Sequence, residues 1–246
     1  NSDLIIISTT SNQRYKICKR LQEINYKGKL LLEKFLFPDL NTLIKSEKLF
    51  KNYPSNIYVN QWMRKTSLSK ILNIKMPFKI SIIGENLGIL SNAVHFIDLI
   101  SETFKIHEFT LDLNNSRIDK ILNSKRSGYS EIRGLLTWRD PTNSIVFSIE
   151  DKSVGGLNRD IIFNVNNKSE QNNFTWKGKI LKNINSKIEY NVPHLSEYSK
   201  DTIRNILDGL DPLIPNYDSS IRHHKLLLMS LSKILNKAQF DQIKIK

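Results

Sequence analysis

Apolar residues first cluster at Leu4 to Ser8, a short isoleucine-rich run between Asp3 and the polar stretch Thr9-Thr10-Ser11-Asn12. A run of this length with polar ends predicts a buried parallel strand. Tyr15, Ile17, Cys18, Leu21 and Ile24 then recur at helical spacing, and Asn25 to Gly28 supply the stop. Lys29 to Leu32 reads as a second buried strand, Leu40 to Phe50 as a helix with Leu43, Ile44 and Leu49 on its apolar side, and Ile57 to Val59 as a third strand. Strand, helix, strand, helix, strand is half of a doubly wound sheet.

After Arg64 the rhythm changes. Phe78 to Ile83 reads as a strand, and Gly84 to Gly88 leads into a helix from Ile89 to Phe104. Strands are predicted at Ile106 to Leu113, Ile132 to Trp138, Ser144 to Ile149, Asp160 to Val165 and Asn173 to Leu181, with loops at Asn114 to Ser127 and Asn166 to Asn173. Strands without intervening helices imply antiparallel or mixed pairing. Helices at Ser196 to Leu207 and Ser219 to Leu235 close the chain. The expected fold class is α/β, a partial Rossmann-type parallel sheet followed by an α+β domain with a mostly antiparallel open sheet. Residues 1–64 form the first unit and residues 65–246 the second, which would hold a substrate and mediate oligomerisation. The helix at 217–236 is expected to pack back on the first unit. No GxGxxG turn occurs, so roughly 60 to 70 further residues, about two βα units, are expected upstream; a genuine start at Asn1 is the competing reading.

With 39% hydrophobic and 25% charged residues, the 246-residue chain has the composition of an ordinary globular protein. No run approaches the roughly 18 consecutive apolar residues of a membrane helix, and the start lacks the features of a signal peptide. The single cysteine, Cys18, excludes an internal disulfide framework or thiolate cluster. The net charge of +13 comes from lysines spread along the chain rather than a dense basic arm, which argues against a nucleic-acid partner. The expectation is a soluble cytoplasmic protein with neither a nucleic-acid nor a membrane partner.

Ser91, His95, Asp98 and Glu102 share one stripe of the 89–104 helix, opposite Leu90, Ala93, Phe96, Ile97 and Ile100. A histidine there could serve as general acid or base; a core histidine satisfied by Asp98 or a carbonyl is the other reading. Glu33 and Lys34 follow an apolar strand, and Thr9, Thr10, Ser11 and Asn12 follow another. Ligands of open α/β sheets bind at such carboxyl ends. Arg64, after the third strand, could meet an anionic or hydroxyl-rich substrate. His223 and His224 are adjacent on a helix and cannot chelate one ion together, so no metal site is expected. Neither a nucleophile elbow nor a phosphate loop is present.

In this order the segments resemble the glucose-fructose oxidoreductase and inositol dehydrogenase family, Gfo/Idh/MocA, over essentially the whole chain. DLIIISTTSNQRYKIC (Asp3 to Cys18) is similar to the family's strand with its "ATP" loop, and Leu32-Glu33-Lys34-Phe35-Leu36 to its EKP motif. Val59 to Arg64 resembles the turn into the substrate domain, GENLGILSNAVHFIDL (Gly84 to Leu99) the helix with the catalytic histidine, and Leu213 to Leu228 the closing segment. The chain departs at Phe35 and Thr10, where the family has prolines, at Arg14, where it has histidine, and at Ser91, where many members have aspartate. Ser91-Asn92 resembles a branch associated with surface-polysaccharide or nucleotide-sugar genes. The resemblance implies NAD or NADP as cofactor, a sugar-type substrate and a homo-oligomer. It implies His95 as acid/base, Lys34 polarising the reacting oxygen, and Glu33, Thr9, Thr10, Ser11 and Asn12 with Lys34 along the cofactor. Asn92, Arg64 and Asp98 would orient the substrate or the imidazole. A non-catalytic sugar-binding or regulatory member of the fold is the alternative, and a basic nucleic-acid-binding protein a third.

Overall fold

The computed structural model describes residues 2–66, 68–71, 78–125, 127–152, 160–167 and 171–245. Leu4–Ile7 (β1), Lys29–Leu32 (β2) and Ile57–Val59 (β3) pair in parallel in the order β1-β2-β3. Ser11–Glu23 (α1) and Leu40–Phe50 (α2) make the crossovers. Leu30 and Leu32 are fully buried, which is why the strand reads as a continuous apolar run. Past β3, Trp62–Lys65 form a 3-10 turn, and Leu68–Ile71 a single helical turn (α3).

Among the described residues the second sheet has nine strands. Phe78–Glu85 (β4), Ile145–Lys152 (β8) and Ile161–Asn167 (β9) lie at its centre, and β4 pairs in parallel with β8 and antiparallel with β9. Thr110–Leu111 (β5), Arg117–Asn123 (β6) and Ser130–Arg139 (β7) extend it on one side. Gln171–Lys177 (β10), Ile180–Asn183 (β11) and Glu189–Asn191 (β12) extend it on the other. The fold is therefore α/β, with a short parallel sheet beside a larger, mostly antiparallel one.

Ile89–Phe104 (α4) packs on the second sheet with eleven of its sixteen residues buried. Leu195–Asp208 (α5), Tyr217–Ile234 (α6) and Lys237–Gln242 (α7) end the chain. Helix α6 touches α4 on one side and α2 and β3 on the other, so α4 and α6 form the seam between the sheets. Tyr217 shares a 2.6 Å hydrogen bond with Ser46 of α2, and Lys225 pairs with Glu47 at 2.6 Å.

Several elements differ from the sequence expectation. The loop expected at 114–127 contains β6, whose alternation is broken by a bulge: Ile118 faces Gly134 and Lys120 faces Arg133, leaving Asp119 as the extra residue. Gly134 has φ 147° there, and a Cβ on it would lie 2.3 Å from the Arg117 carbonyl oxygen. The strand expected at 106–113 shrinks to Thr110–Leu111, because Ile106 is tied back to the end of α4 through Ser101. The run 173–181 is two strands turned at Gly178-Lys179. In the loop expected at 166–173, residues 168–170 lie outside the described residues, and both flanks are strand. Helix α7 and strand β12 were not anticipated.

Candidate active site

The carboxyl ends of β1 and β2 open on a cavity of about 240 Å³ lined by Ser8, Thr9, Thr10, Arg14, Glu33, Lys34, Phe35 and Ser91. The Lys34-Phe35 peptide bond is cis. Arg14, 1% exposed, reaches up from α1 and donates to the carbonyl oxygens of Thr9, Phe35 and Leu36 (2.8 Å to Leu36). One guanidinium thus ties together the two loops that form the cavity, a use suited to its fixed fork of donors. Burial lowers its pKa to about 10, with Glu33 opposing, and it remains charged at neutral pH. Asn60, just past β3, donates to the Glu33 carboxylate at 2.6 Å.

Helix α4 starts at Gly88, whose φ of 72° is left-handed, and a Cβ there would press on Glu131 Oε2 at 3.0 Å. The first turn of a helix has unpaired N–H groups, and two carboxylates from the sheet take them. Glu131 of β7 accepts from the Leu90 amide at 2.6 Å, the Ser91 amide at 3.2 Å and the Ser91 hydroxyl at 2.7 Å, while Asp151 of β8 accepts from the Gly88 amide at 2.8 Å. Burial raises the Glu131 pKa, with its hydrogen bonds opposing. From the other side, Lys34 donates to the Ser91 carbonyl and, at 3.3 Å, to Asn92 Oδ1. The Asn92 amide in turn donates to the Leu87 carbonyl at 2.6 Å.

His95 lies one turn further on, 2% exposed, with Nδ1 buried and unpaired. Burial holds its pKa well below 6.5, and the nearby Lys34 and His224 add to the effect, so the imidazole is neutral at pH 7. It lines a hollow of about 180 Å³ with Trp62, Met63, Glu85, Asn86, Leu87, Asn92, Phe96, Ile161 and Trp176. Gln61 is fully buried behind this helix. It donates to the Val94 carbonyl at 2.7 Å and accepts from Ser220 of α6 at 2.5 Å. His224 Nδ1 lies 2.7 Å from the Ser220 carbonyl, so Nδ1 carries the proton. Burial brings its pKa down to about 3, and its ring meets Phe35 edge-on at 4.3 Å.

Thr9, Thr10, Glu33 and Lys34, expected along a cofactor, line the first cavity. Ser11 does not: it is fully buried and donates to the Ile245 carbonyl at 2.6 Å, because the first turn of α1 rotates it toward the carboxyl-terminal segment. Asn12 is exposed, outside the lining, and accepts from Thr10 at 2.6 Å. Lys34 and His95 line adjoining hollows rather than one, with Ser91 and Asn92 as the wall between. Arg64 and Asp98, expected at a substrate, engage each other through two hydrogen bonds of 2.8 and 2.6 Å, and Arg64 also reaches Glu102 at 2.9 Å. Burial pushes the Asp98 carboxyl up to about 6 against the pull of Arg64. Asp98 does not orient His95; it contacts His223 at 3.4 Å, whose pKa burial also holds well below 6.5, so the contact is not an ion pair. Among the described residues no group of three or more His, Cys, Asp or Glu is placed to hold a metal, and no helix is long and apolar enough to cross a membrane.

Sequence reasoning singles out neither Gln61 nor Glu131, and it names Arg14 and His224 without giving either a role in the site. Arg14 carried a signal, since it stands four residues before Cys18 on the buried stripe of α1. Glu131 carried none, because its partners lie some forty positions away.

No family model matches the sequence, and no curated protein is detectably similar to it. Solved structures are similar in fold. The WlbA dehydrogenase from Bordetella pertussis, in complex with NADH and UDP-GlcNAcA, superposes with a TM-score of 0.66 at 13% identity, over 92% of this chain and 75% of that one. The dehydrogenase MviM from Clostridium difficile gives 0.62 at 15% identity over 94% and 79%. Biliverdin reductase from Synechocystis sp. PCC 6803, in complex with biliverdin and NADP+, gives 0.63 at 10% identity over 94% and 79%. What the chain shares with these oxidoreductases at such identities is the fold.

Proposed function

We propose that this chain is an NAD(P)-dependent oxidoreductase of the Gfo/Idh/MocA kind, acting on a hydroxyl or carbonyl carbon of a sugar or nucleotide-linked sugar. The observation that carries the reading is the grip of the Lys34 ammonium on the first turn of the helix bearing His95. It joins the end of a parallel strand, where a nucleotide would lie, to a neutral buried imidazole. The cavity beside Thr9, Thr10, Glu33 and Lys34, about 240 Å³, is smaller than the roughly 300–1,000 Å³ of a whole-ligand site. Its hydroxyls and single ammonium suit the nicotinamide-ribose end of the cofactor. When bound, NAD(P) accepts or supplies the hydride. His95, unprotonated at pH 7, takes the proton from a substrate hydroxyl and returns it in the reverse direction. Lys34, on the far side of the Ser91–Asn92 wall, acts as a positioning residue: it holds the first turn of the helix and with it the imidazole.

A non-catalytic binding module is favoured by one observation, the unpaired Nδ1 of His95, which no carboxylate orients. Titration of a full-length version, carrying the expected upstream βα units, with NADH and NADPH separates the two readings: cofactor fluorescence changes on binding if the oxidoreductase reading is right, and silence with both removes it. In the active protein, His95→Ala and Lys34→Ala should each lower turnover by about 10²-fold or more. Unchanged turnover in either would discard that residue's role.

A further inference from the structure

The hollow beside His95 differs in charge from the other two cavities that meet the first turn of α4. Lys34 and Arg14 line the first, together with Glu33. Lys125 and Arg133 line the second, together with Glu131 and Asp151. Among the described residues no lysine or arginine lines the third, and Glu85 is the sole charged side chain beside the neutral imidazole. Glu85 Oε2 is buried without a hydrogen-bond partner among the described residues. A carboxylate oxygen in that position calls for an N–H or O–H donor.

The walls are aromatic. Trp62 meets Trp176 at 6.4 Å and 69°, and His95 at 6.1 Å and 65°, so the three rings form a corner rather than a slot. Tyr198 of α5 backs Trp62 at 6.4 Å. The Trp176 indole N–H is already used on the Gly178 carbonyl at 2.8 Å, leaving the ring system to act through its apolar faces. The remaining polar lining is amide, from Asn86 and Asn92. Such a corner suits a saturated ring whose C–H faces lie on indole and whose edge carries donors. It also suits positive charge, which indole faces attract, and repels a carboxylate.

We propose that this hollow binds a hydroxylated ring without negative charge, stacked in the Trp62–Trp176 corner with a hydroxyl or amino group donating to Glu85. Rings bearing a carboxylate are excluded. Trp62, Trp176 and Glu85 are then specificity determinants, and the inference rests on reading the His95 hollow as the place of the reacting ring.

The three tryptophans of the chain make the test direct. Trp138 is buried in the core with its indole on Ser230, so a ligand-dependent change in tryptophan emission reports on Trp62 and Trp176. The protein, without nucleotide, is titrated with methyl β-D-glucopyranoside, D-glucosamine and D-glucuronate. The first two should change the emission, glucosamine at the lower concentration, and glucuronate should require about tenfold more or fail. Glu85→Gln, which keeps the shape, should weaken glucosamine by about tenfold and narrow the gap to glucuronate. Trp176→Phe should weaken all binding, and an unchanged melting temperature in both variants shows that folding is intact. The proposal is overturned if glucuronate binds as tightly as glucosamine, if none of the three binds, or if Glu85→Gln leaves the order unchanged. Because no cofactor is present, failure of NADH binding would remove the oxidoreductase reading alone, and failure here would leave that reading standing.

Discussion

Asp98 illustrates how a side chain can be placed correctly on its helix and still have a different partner from the one its position suggests. Its stripe on α4 is visible in the sequence as the spacing of His95, Asp98 and Glu102, but what faces that stripe depends on where the chain after β3 runs. There Arg64, itself 16% exposed, satisfies the fully buried carboxylate. Asp98→Ala removes two hydrogen bonds to a charged group while Arg64 keeps Glu102 at 2.9 Å, so it should cost about 1.5–3 kcal/mol of stability by denaturant unfolding. A loss below 1 kcal/mol would mean that Arg64 finds water. Arg14 is a comparable case: its three carbonyl acceptors belong to loops that meet only in the folded state, which is why helical spacing alone could reveal its burial but not its work.

Among the elements, β2, β3, α2 and α4 were legible to the residue. β2, α2 and α4 have an apolar run with a clear start: Gly28 before β2, Asp39 capping α2 at 2.8 Å, and Gly88 before α4; β3 is a three-residue apolar run between polar neighbours. β6 was hidden because its bulge shifts the alternation by one position, and β10 and β11 read as one strand because Trp176 and Leu181 flank so short a turn. The start of α4 depends on a partner that no local pattern contains. Glu131 replaces a local cap, and a helix N-terminus gains roughly 0.5–2 kcal/mol from such a side chain. Glu131→Ala should therefore lower stability by that order and loosen amide hydrogen exchange at Leu90 and Ser91. Protection unchanged at those two amides would contradict the capping role.

At the scale of the molecule, three neutral histidines sit in the seam between the sheets: His95 and His224 near Lys34, and His223 against Asp98. Each has a folded-state pKa below its unfolded value of 6.5, down to about 3 for His224. The unfolded chain therefore binds more protons between these limits, and stability falls as pH drops from about 6.5 toward 3. Each such group contributes about 1.4 kcal/mol per pH unit once the unfolded histidine is protonated. Denaturant midpoints measured from pH 7 to 4 should fall steeply, and His224→Leu should remove about one proton from the slope. An unaltered slope in the variant would show that His224 is not neutral in the fold. The two-sheet architecture was readable in the change of rhythm after Arg64; the seam was not, because it is made by α6 returning from the far end of the chain to α4, α2 and β3.

That short stretch of helix, Ser91 with Asn92, borders all three openings at once, Ser91 facing two of them and Asn92 the third as well. Lys34 holds both of these residues from the first chamber, through the Ser91 carbonyl and Asn92 Oδ1. The walls of three separate recesses therefore hang on one ammonium group, and a change at position 34 is felt in each of them.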